Sequence, residues 1–362
     1  MGNIFKERVK RFQELMREKG IDASVIRTLS TFIYFTGVKW LRPSLLIPAQ
    51  GDPVVIVVKN EKELFMKKSW IKNVLEYQKT GQLMALVTSW IRKNGYKNVG
   101  FEYSIEKDSY LLFFELFKAL NPKINIVDVR PLTMSLRMLK EEWEIENIKV
   151  AGEIAVKGIK KALDVIKEGK SELEVVGEIT AELMRNGSEH PQVYVSATPR
   201  IHAEPFRDVY IENGKFVSVV IGADYNNYYA NITRSFFLGK PEGRVKDAIE
   251  AMNAAYEIAM KETKIGVKFR EVEAKIESVY KDLNLLDYYI AGYTHGVGLL
   301  IEEDPITTIV VAQRSMEPKK GMVLAFVHSP LMLPEGVVKK EDTVIIGDEK
   351  INVTEIDTPW IL

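Results

Sequence analysis

Residues 222–239 read GADYNNYYANITRSFFLG. Tyr228, Tyr229, Ile232, Phe236 and Phe237 favour a pleated, half-buried backbone, and Asn231, Thr233 and Arg234 set a polar stripe among them. That is the pattern of a strand with a site on one face. Yet no carboxylate occurs from Asn226 to Phe237. Whether this strand does chemistry, or only has the shape of one that does, is decided by what surrounds it.

Working outward, the segments around this strand form a regular series. A long amphipathic helix is expected over about 140–167, with Ile145, Ile148, Ala155, Ile159, Ala162, Leu163 and Ile166 stepping by three and four. Ser171-Glu-Leu-Glu174 is a capping box that opens a second helix to about Arg185. Strands follow from Val193 to Leu238, then helices over about 243–262 and 269–283, then a strand-rich section from 290 to 362. Helix–helix–strands thus occurs twice, an architectural duplication of an α+β unit. Upstream, helix and strand alternate. Residues 4–19 and 80–94 read as helices, and Ser24–Ile26, Ser44–Pro48, Asn98–Phe101 and Ile124–Val127 as strands. Pro53-Val-Val-Ile-Val-Val58 is a β-branched run expected of a strand buried on both faces. The expected organisation is an α/β domain over 1–131 followed by an α+β domain over 132–362.

Composition excludes several classes of function. The chain has no cysteine, which removes disulfides, thiolate metal sites and cysteine nucleophiles. Fifty basic residues balance fifty acidic ones, so no nucleic-acid partner is expected. No apolar run reaches the roughly 18 residues of a membrane span. MGNIFKERVKRF is charged from Lys6 onward and lacks a signal-peptide core, and Gly2 lacks the downstream Ser or Thr of a myristoylation signal. The expectation is a cytoplasmic protein with no membrane association, in which Asn231-Ile-Thr and Asn352-Val-Thr are chance sequons. Abundant Lys, Glu and Ile without Cys hints at a thermophile.

Three stretches are specific together: Gly222–Gly239; Thr294-His-Gly-Val-Gly-Leu299 followed by Glu302-Glu-Asp-Pro305; and Gly321-Met-Val323 followed by Gly336-Val-Val-Lys-Lys-Glu-Asp-Thr-Val344. In this order and spacing they resemble the pita-bread family of Xaa-Pro dipeptidase (prolidase), aminopeptidase P, methionine aminopeptidase and creatinase. The pattern is most similar to archaeal or bacterial Xaa-Pro dipeptidases. Phe35-Thr-Gly37, Arg42-Pro43 and Met138-Leu-Lys-Glu-Glu142 extend the likeness over nearly the whole chain. The resemblance implies a creatinase/prolidase-type α/β N-terminal domain and an internally duplicated pita-bread domain, a curved antiparallel sheet covered by helices. It also implies a hydrolase in which two divalent ions share a bridging hydroxide, held by two Asp, one His and two Glu.

Carried over residue by residue, the family's ligand positions fall on Val220, Asn231, His295, Val327 and Glu341. Val220, Asn231 and Val327 lack the expected carboxylate, and a further family histidine is replaced by Glu302. Neighbours offer little. Asp224 lies on the same face as Val220 but about 13 Å along the strand. His328 follows Val327, and adjacent strand residues point to opposite faces, so only a bulge brings it in. The dinuclear site is therefore expected to be absent and no cofactor is expected. If one binds, it is a single weakly held divalent ion such as Mn, Co or Zn.

The candidate pocket residues are His202, Asn231, Arg234, His295, Glu303 and Glu341, with His202, His295 and Glu341 as candidate catalytic groups. Each has a plainer alternative. His202 is also an exposed loop histidine, Asn231 a relic amide, Arg234 a partner for a nearby acid, and Glu303 a structural residue. His295 is also a buried, hydrogen-bonded histidine. His190 and His328 read as structural or surface residues. Glu341, without cations, must find donors or take up a proton at a raised pKa, and His295 and Asn231 are the expected donors. The resulting expectation is a catalytically inactive homologue that binds a peptide or small molecule in the cleft of the C-terminal domain, and a homodimer by family likeness. Two alternatives stand beside it. One is a metal-free creatinase-type C–N hydrolase using His202 and Glu341. The other is an active Xaa-Pro dipeptidase with a rearranged metal site.

Overall fold

The computed structural model describes residues 2–42, 44–79, 81–201 and 204–362. The chain divides into two units, Met1–Arg137 and Met138–Leu362.

The first unit is built on a six-stranded mixed sheet in the order Val74–Tyr77, Val54–Val58, Leu45–Pro48, Ala23–Ile26, Asn98–Phe101, Asn125–Asp128. Val54–Val58 is an inner strand with its first four residues buried, as its β-branched run requires. Four helices here carry no clear sequence signal. Leu29–Thr36 (LSTFIYFT) is rich in aromatic and β-branched residues and nearly all buried, so its composition favours a strand. Asp108–Leu120 is apolar on most of its circumference, and Lys62–Lys68 is short. The fourth, Arg130–Arg137, belongs to this unit. Thr133 donates to the buried carboxylate of Glu102, and Arg137 donates to Ser30 and Thr31.

The second unit is a curled antiparallel sheet covered by helices. Its strands run in the order Glu303–Ile306, Thr294–Gly296, Val323–Phe326, Lys340–Ile345, Tyr228–Phe237, Phe216–Tyr225, Gln192–Ser196, with Ile351–Asn352 added beside Lys340–Ile345. The motif of the opening stretch is its central hairpin. Asn226 and Asn227 take φ of 49° and 71° at the two turn positions, the left-handed conformation that Asn tolerates and a two-residue hairpin demands. All ten residues of Tyr228–Phe237 are buried, polar ones included, because neighbouring strands flank it on both edges.

Helices cover one face only. Glu142–Val165 and Glu172–Arg185 place Ala155, Ile159 and Ile179 against Val219, Ile221, Ile232 and Phe236. Arg244–Glu262 and Phe269–Asp282 place Met252, Phe269 and Ile276 against Leu324, Phe326 and Val344. The capping box forms as expected: Ser171 Oγ accepts from Glu174 N at 3.3 Å, and the Glu174 carboxylate accepts from Ser171 N at 2.8 Å. Among the described residues no helix is long and apolar enough to cross a membrane.

Candidate functional site

The sheet register assembles the site. Val220 lies opposite Thr233, Thr233 opposite Glu341, and Gly222 opposite Asn231. Thr343 lies opposite Ala325, and Ala325 opposite His295. Directly opposed residues point to the same side, so Val220, Asn231, Thr233, Glu341 and His295 share the face that the helices leave uncovered. On that face Val220, Asn231, His295 and Glu341 line a cavity of about 240 Å³, joined by Tyr194, Ile301, Glu302 and His328, with Glu204 at its edge.

His328 enters through a backbone reversal. Val327 adopts φ of 61°, which a β-branched residue rarely takes. The reversal ends the strand Val323–Phe326, turns the Val327 side chain into the core with Phe326 and Leu331, and turns His328 toward the cavity. Simple alternation predicts the opposite orientation for both residues. Val327 therefore does not line the cavity, and His328, read as a structural or surface residue, is buried at the cavity wall. The two imidazoles meet edge to face, with ring centroids of His295 and His328 4.3 Å apart at 87°.

At the floor, Lys339 Nζ lies 2.8 Å from Glu341 Oε2, with both side chains about 98–99% shielded from solvent. His328 Nδ1 donates to the same oxygen at 2.9 Å, and Thr233 Oγ1 donates to Glu341 Oε1 at 3.3 Å. Burial alone raises a carboxyl pKa. Here the Lys339 ammonium and the His328 ring overcome it and hold Glu341 well below the usual carboxylate range. The expected donors, His295 and Asn231, are thus replaced by Lys339 and His328, and the carboxylate is ionised. Burial, with Lys339 and His295 close by, pulls His328 well below the ordinary histidine value, so its ring is neutral. Because a carboxylate only accepts, Nδ1 of His328 carries the proton and Nε2 keeps its lone pair. His295 also turns its Nδ1 to an acceptor, donating to the Gly296 carbonyl at 2.9 Å.

Asn231 is held by both flanks. Its backbone exchanges hydrogen bonds with Thr343 Oγ1 at 2.7 and 2.9 Å, and its Nδ2 donates to the Ile301 carbonyl at 2.5 Å. That last contact needs an amide. A carboxylate at 231 has no hydrogen to offer Ile301 and would place charge against a carbonyl oxygen.

The remaining candidates lie elsewhere. Arg234 is one residue from Thr233 and points to the opposite face, where it forks onto Asp342 at 2.9 and 3.1 Å. Glu303 pairs with Lys140 at 2.9 Å, both buried, and does not line the cavity. Asp224 accepts from Ser188 Oγ and His190 N, which occupies it away from Val220. His202 lies outside the described residues. The loop around it is anchored by the fully buried Glu172, which accepts from Ala197 N at 2.8 Å, Phe206 N at 2.8 Å and Arg200 Nη2 at 2.5 and 2.6 Å. Glu204, on this loop, reaches the cavity.

Sequence reasoning missed Lys339, Tyr194, Ile301 and Glu204, and admitted His328 only through a bulge. Lys339 carries a signal, since it stands two before Glu341 and alternation puts both on one face. His328 carries none, because only the Val327 reversal directs it inward. Together His295, His328 and Glu341 offer ligand atoms all within 4.8 Å of one another, a set that could hold one metal ion.

Comparison with known proteins agrees with this architecture. Residues 146–348 match the model of metallopeptidase family M24, and residues 8–139 match the creatinase/prolidase N-terminal domain. The chain is 28% identical to the Xaa-Pro dipeptidase of Pyrococcus horikoshii, over 98% of this chain and 99% of that one. It is 29% identical to that of Pyrococcus furiosus, over 97% and 99%. The crystal structure of the prolidase from Pyrococcus horikoshii superposes with a TM-score of 0.85 at 26% identity, covering 98% of this chain and 100% of that one.

Proposed function

We propose that this chain, which belongs to metallopeptidase family M24, binds a peptide or small-molecule ligand in the cleft of its second unit without a dinuclear metal centre and without peptide hydrolysis. The observation that carries this reading is the Lys339 ammonium 2.8 Å from Glu341 Oε2. Two divalent ions packed together require several anionic oxygen ligands to offset their mutual repulsion. Of the positions that align with the family's ligands, Val220 presents a hydrocarbon to the cavity, Asn231 points its amide hydrogens at Ile301, and Val327 is turned into the core. Glu341 is the one carboxylate among them, and it already holds a cation. These residues do not fit a metal pair.

The same geometry gives less support to a metal-free hydrolase. A carboxylate held ionised by an ammonium and an imidazole N–H is a weak base, since each donor stabilises the charge that proton abstraction would neutralise. What the cleft retains suits binding. A cavity of about 240 Å³ takes a peptide end or a small molecule, with Tyr194, Ile301 and Val220 as apolar wall and Glu302, Glu204 and Asn231 as polar contacts.

Calorimetric titration with Xaa-Pro dipeptides and a peptide array tests this. Binding to a cleft ligand that is weakened by Tyr194→Ala, with no hydrolysis of Met-Pro in added Mn or Co, is expected. Chelator-sensitive cleavage of Met-Pro, or two tightly bound ions per chain, would sink the reading. Absence of binding to any peptide at millimolar concentration would remove the binding role.

A further inference from the structure

Arg27 stands just past the end of the strand Ala23–Ile26, and its guanidinium is held without being neutralised. Its Cζ lies 4.5 Å from the centroid of the Phe113 ring, so an aromatic face supports it. The N–H edges are left unused. Nε and Nη1 are shielded from solvent and make no hydrogen bond among the described residues. Burial pulls the Arg27 pKa below the ordinary arginine value, the direction of a cation taken out of water without a counter-charge. A cation in that state is costly, and buried charges in proteins are ordinarily paired. We infer that Arg27 is the inner contact of an anion site in the first unit, and that the ligand of this site is a phosphate monoester.

The sheet topology puts a crevice at this point. Ala23–Ile26 pairs in parallel with Asn98–Phe101. From Ala23–Ile26 the chain builds the sheet outward in one direction, through Leu45–Pro48, Val54–Val58 and Val74–Tyr77. From Asn98–Phe101 it builds in the other, to Asn125–Asp128. The two connections therefore diverge beyond the carboxyl ends of these two strands, the place where open α/β sheets take their ligands. Arg27 and Leu29 follow the first strand, Glu106 and Lys107 follow the second, and all four line a cavity of about 350 Å³. Arg42 comes to the same edge because it precedes the antiparallel strand Leu45–Pro48, and it lines the cavity with Leu41. The site lies wholly in the first unit, away from the cleft of the second.

Charge selects the ligand. Glu106 is the carboxylate in the wall, and both its oxygens are engaged by the start of the helix Leu29–Thr36. It accepts from Leu29 N at 2.5 Å, Ser30 N at 3.2 Å and Ser30 Oγ at 2.5 Å. Arg27, Arg42 and Lys107 against that single carboxylate leave two positive charges. A phosphate dianion balances them, and its oxygens suit guanidinium donors. A carboxylate leaves one charge unmatched. The cavity is of small-ligand size, and Leu29 and Leu41 give an organic remainder an apolar wall, which favours an ester over the free ion.

The test uses the whole chain with phenyl phosphate as the probe, and with inorganic phosphate and benzoate beside it. Each is titrated by calorimetry at about pH 8, where the ester is a dianion, and melting is followed with and without it. Phenyl phosphate is expected to bind at one site per chain and to raise the melting temperature. Benzoate and inorganic phosphate should each bind at least about tenfold more weakly. Arg27→Met should lower the affinity for phenyl phosphate by at least about tenfold. Arg270→Ala, which removes an exposed cation from the second unit, should leave it unchanged. If Arg27→Met does not fold, the double variant Arg42→Ala/Lys107→Ala decides, since both side chains are exposed; the same tenfold loss, again only about that size, is expected. No binding of phenyl phosphate at millimolar concentration overturns the inference. So does an affinity that the pocket variants leave intact, or one that Arg270→Ala lowers equally. Benzoate or inorganic phosphate binding as tightly as phenyl phosphate overturns the assignment of a phosphate monoester.

Discussion

Two buried ion pairs sit on consecutive residues of one strand, and they differ in kind. Asp342 faces the helices. It accepts two hydrogen bonds from Arg234, one from Tyr256 Oη at 2.5 Å and one from Thr354 Oγ1 at 2.9 Å. Glu341 faces the cavity and is held by Lys339, His328 and Thr233. Both carboxylates are almost fully shielded. The first pair is closed, with Arg234 Nη2 shared between both carboxylate oxygens and Nη1 spent on the Thr233 and Glu341 carbonyls. The second uses a point-charge ammonium and neutral donors, and opens on a cavity. Alternation along a strand thus puts a structural clasp and a site one residue apart. Only the side of the sheet decides which is which.

The comparison can be broken most forcefully at the closed pair. Asp342→Ala should leave Arg234 buried and uncompensated, costing about 3–5 kcal/mol and lowering the melting temperature by roughly 10 °C, as read by calorimetry. A loss under about 1 kcal/mol would mean that the clasp is not structural. Glu341→Gln should cost less, about 2 kcal/mol, because the adjoining cavity admits water to the stranded ammonium; a larger loss than that of Asp342→Ala would reverse the assignment.

Asn231→Asp comes next. It trades a donor to Ile301 for a charge against that carbonyl, and should cost about 1–3 kcal/mol. Added Mn should restore neither stability nor hydrolysis.

The open pair also predicts a pH dependence. His328 is depressed in the fold, so the unfolded chain takes up a proton at about 6.5 that the folded chain refuses. Stability is therefore full above about 6.5 and falls as the pH drops below it, with a slope approaching about 1.4 kcal/mol per pH unit. Glu341 is also depressed, so its contribution is present above the ordinary carboxylate range and is lost at lower pH, as the pH falls through its folded value. His328→Gln should flatten the upper part of this profile and leave the acid limb. An unchanged profile would show that His328 does not stay neutral. The smallest effect is a control remote from both pairs. Asn227→Gly at the hairpin turn removes a Cβ at φ of 71° and should stabilise by less than about 1 kcal/mol.

Much of this could be read before any coordinates. The long helix, the capping box at Ser171 and the strand–turn–strand around Asn226 all carry local signals, because caps, periodicity and turn chemistry act within a few residues. In the first unit, Leu29–Thr36 and Asp108–Leu120 were not legible. Their apolar residues follow no single face, so neither a period of two nor one of 3.6 stands out. At the site, Val220, Asn231, His295 and Glu341 were found from motif spacing and do converge on one cavity. Arg234 and Glu303 were found the same way and do not line it, since motif membership does not say which face a side chain takes.

The sequence by itself determined the family pattern, the two-part organisation and which residues stand at 220, 231 and 327, because these are matters of residue identity and spacing. What only the tertiary structure decided is the content of the cleft. A single left-handed residue, Val327, exchanges a valine for a histidine at the cavity wall. Strand alternation then brings an ammonium onto the carboxylate at the floor. The first outcome depends on a backbone reversal that residue order alone does not encode, and the second on burial by neighbouring strands, which makes a pair that alternation allows into one shielded from water.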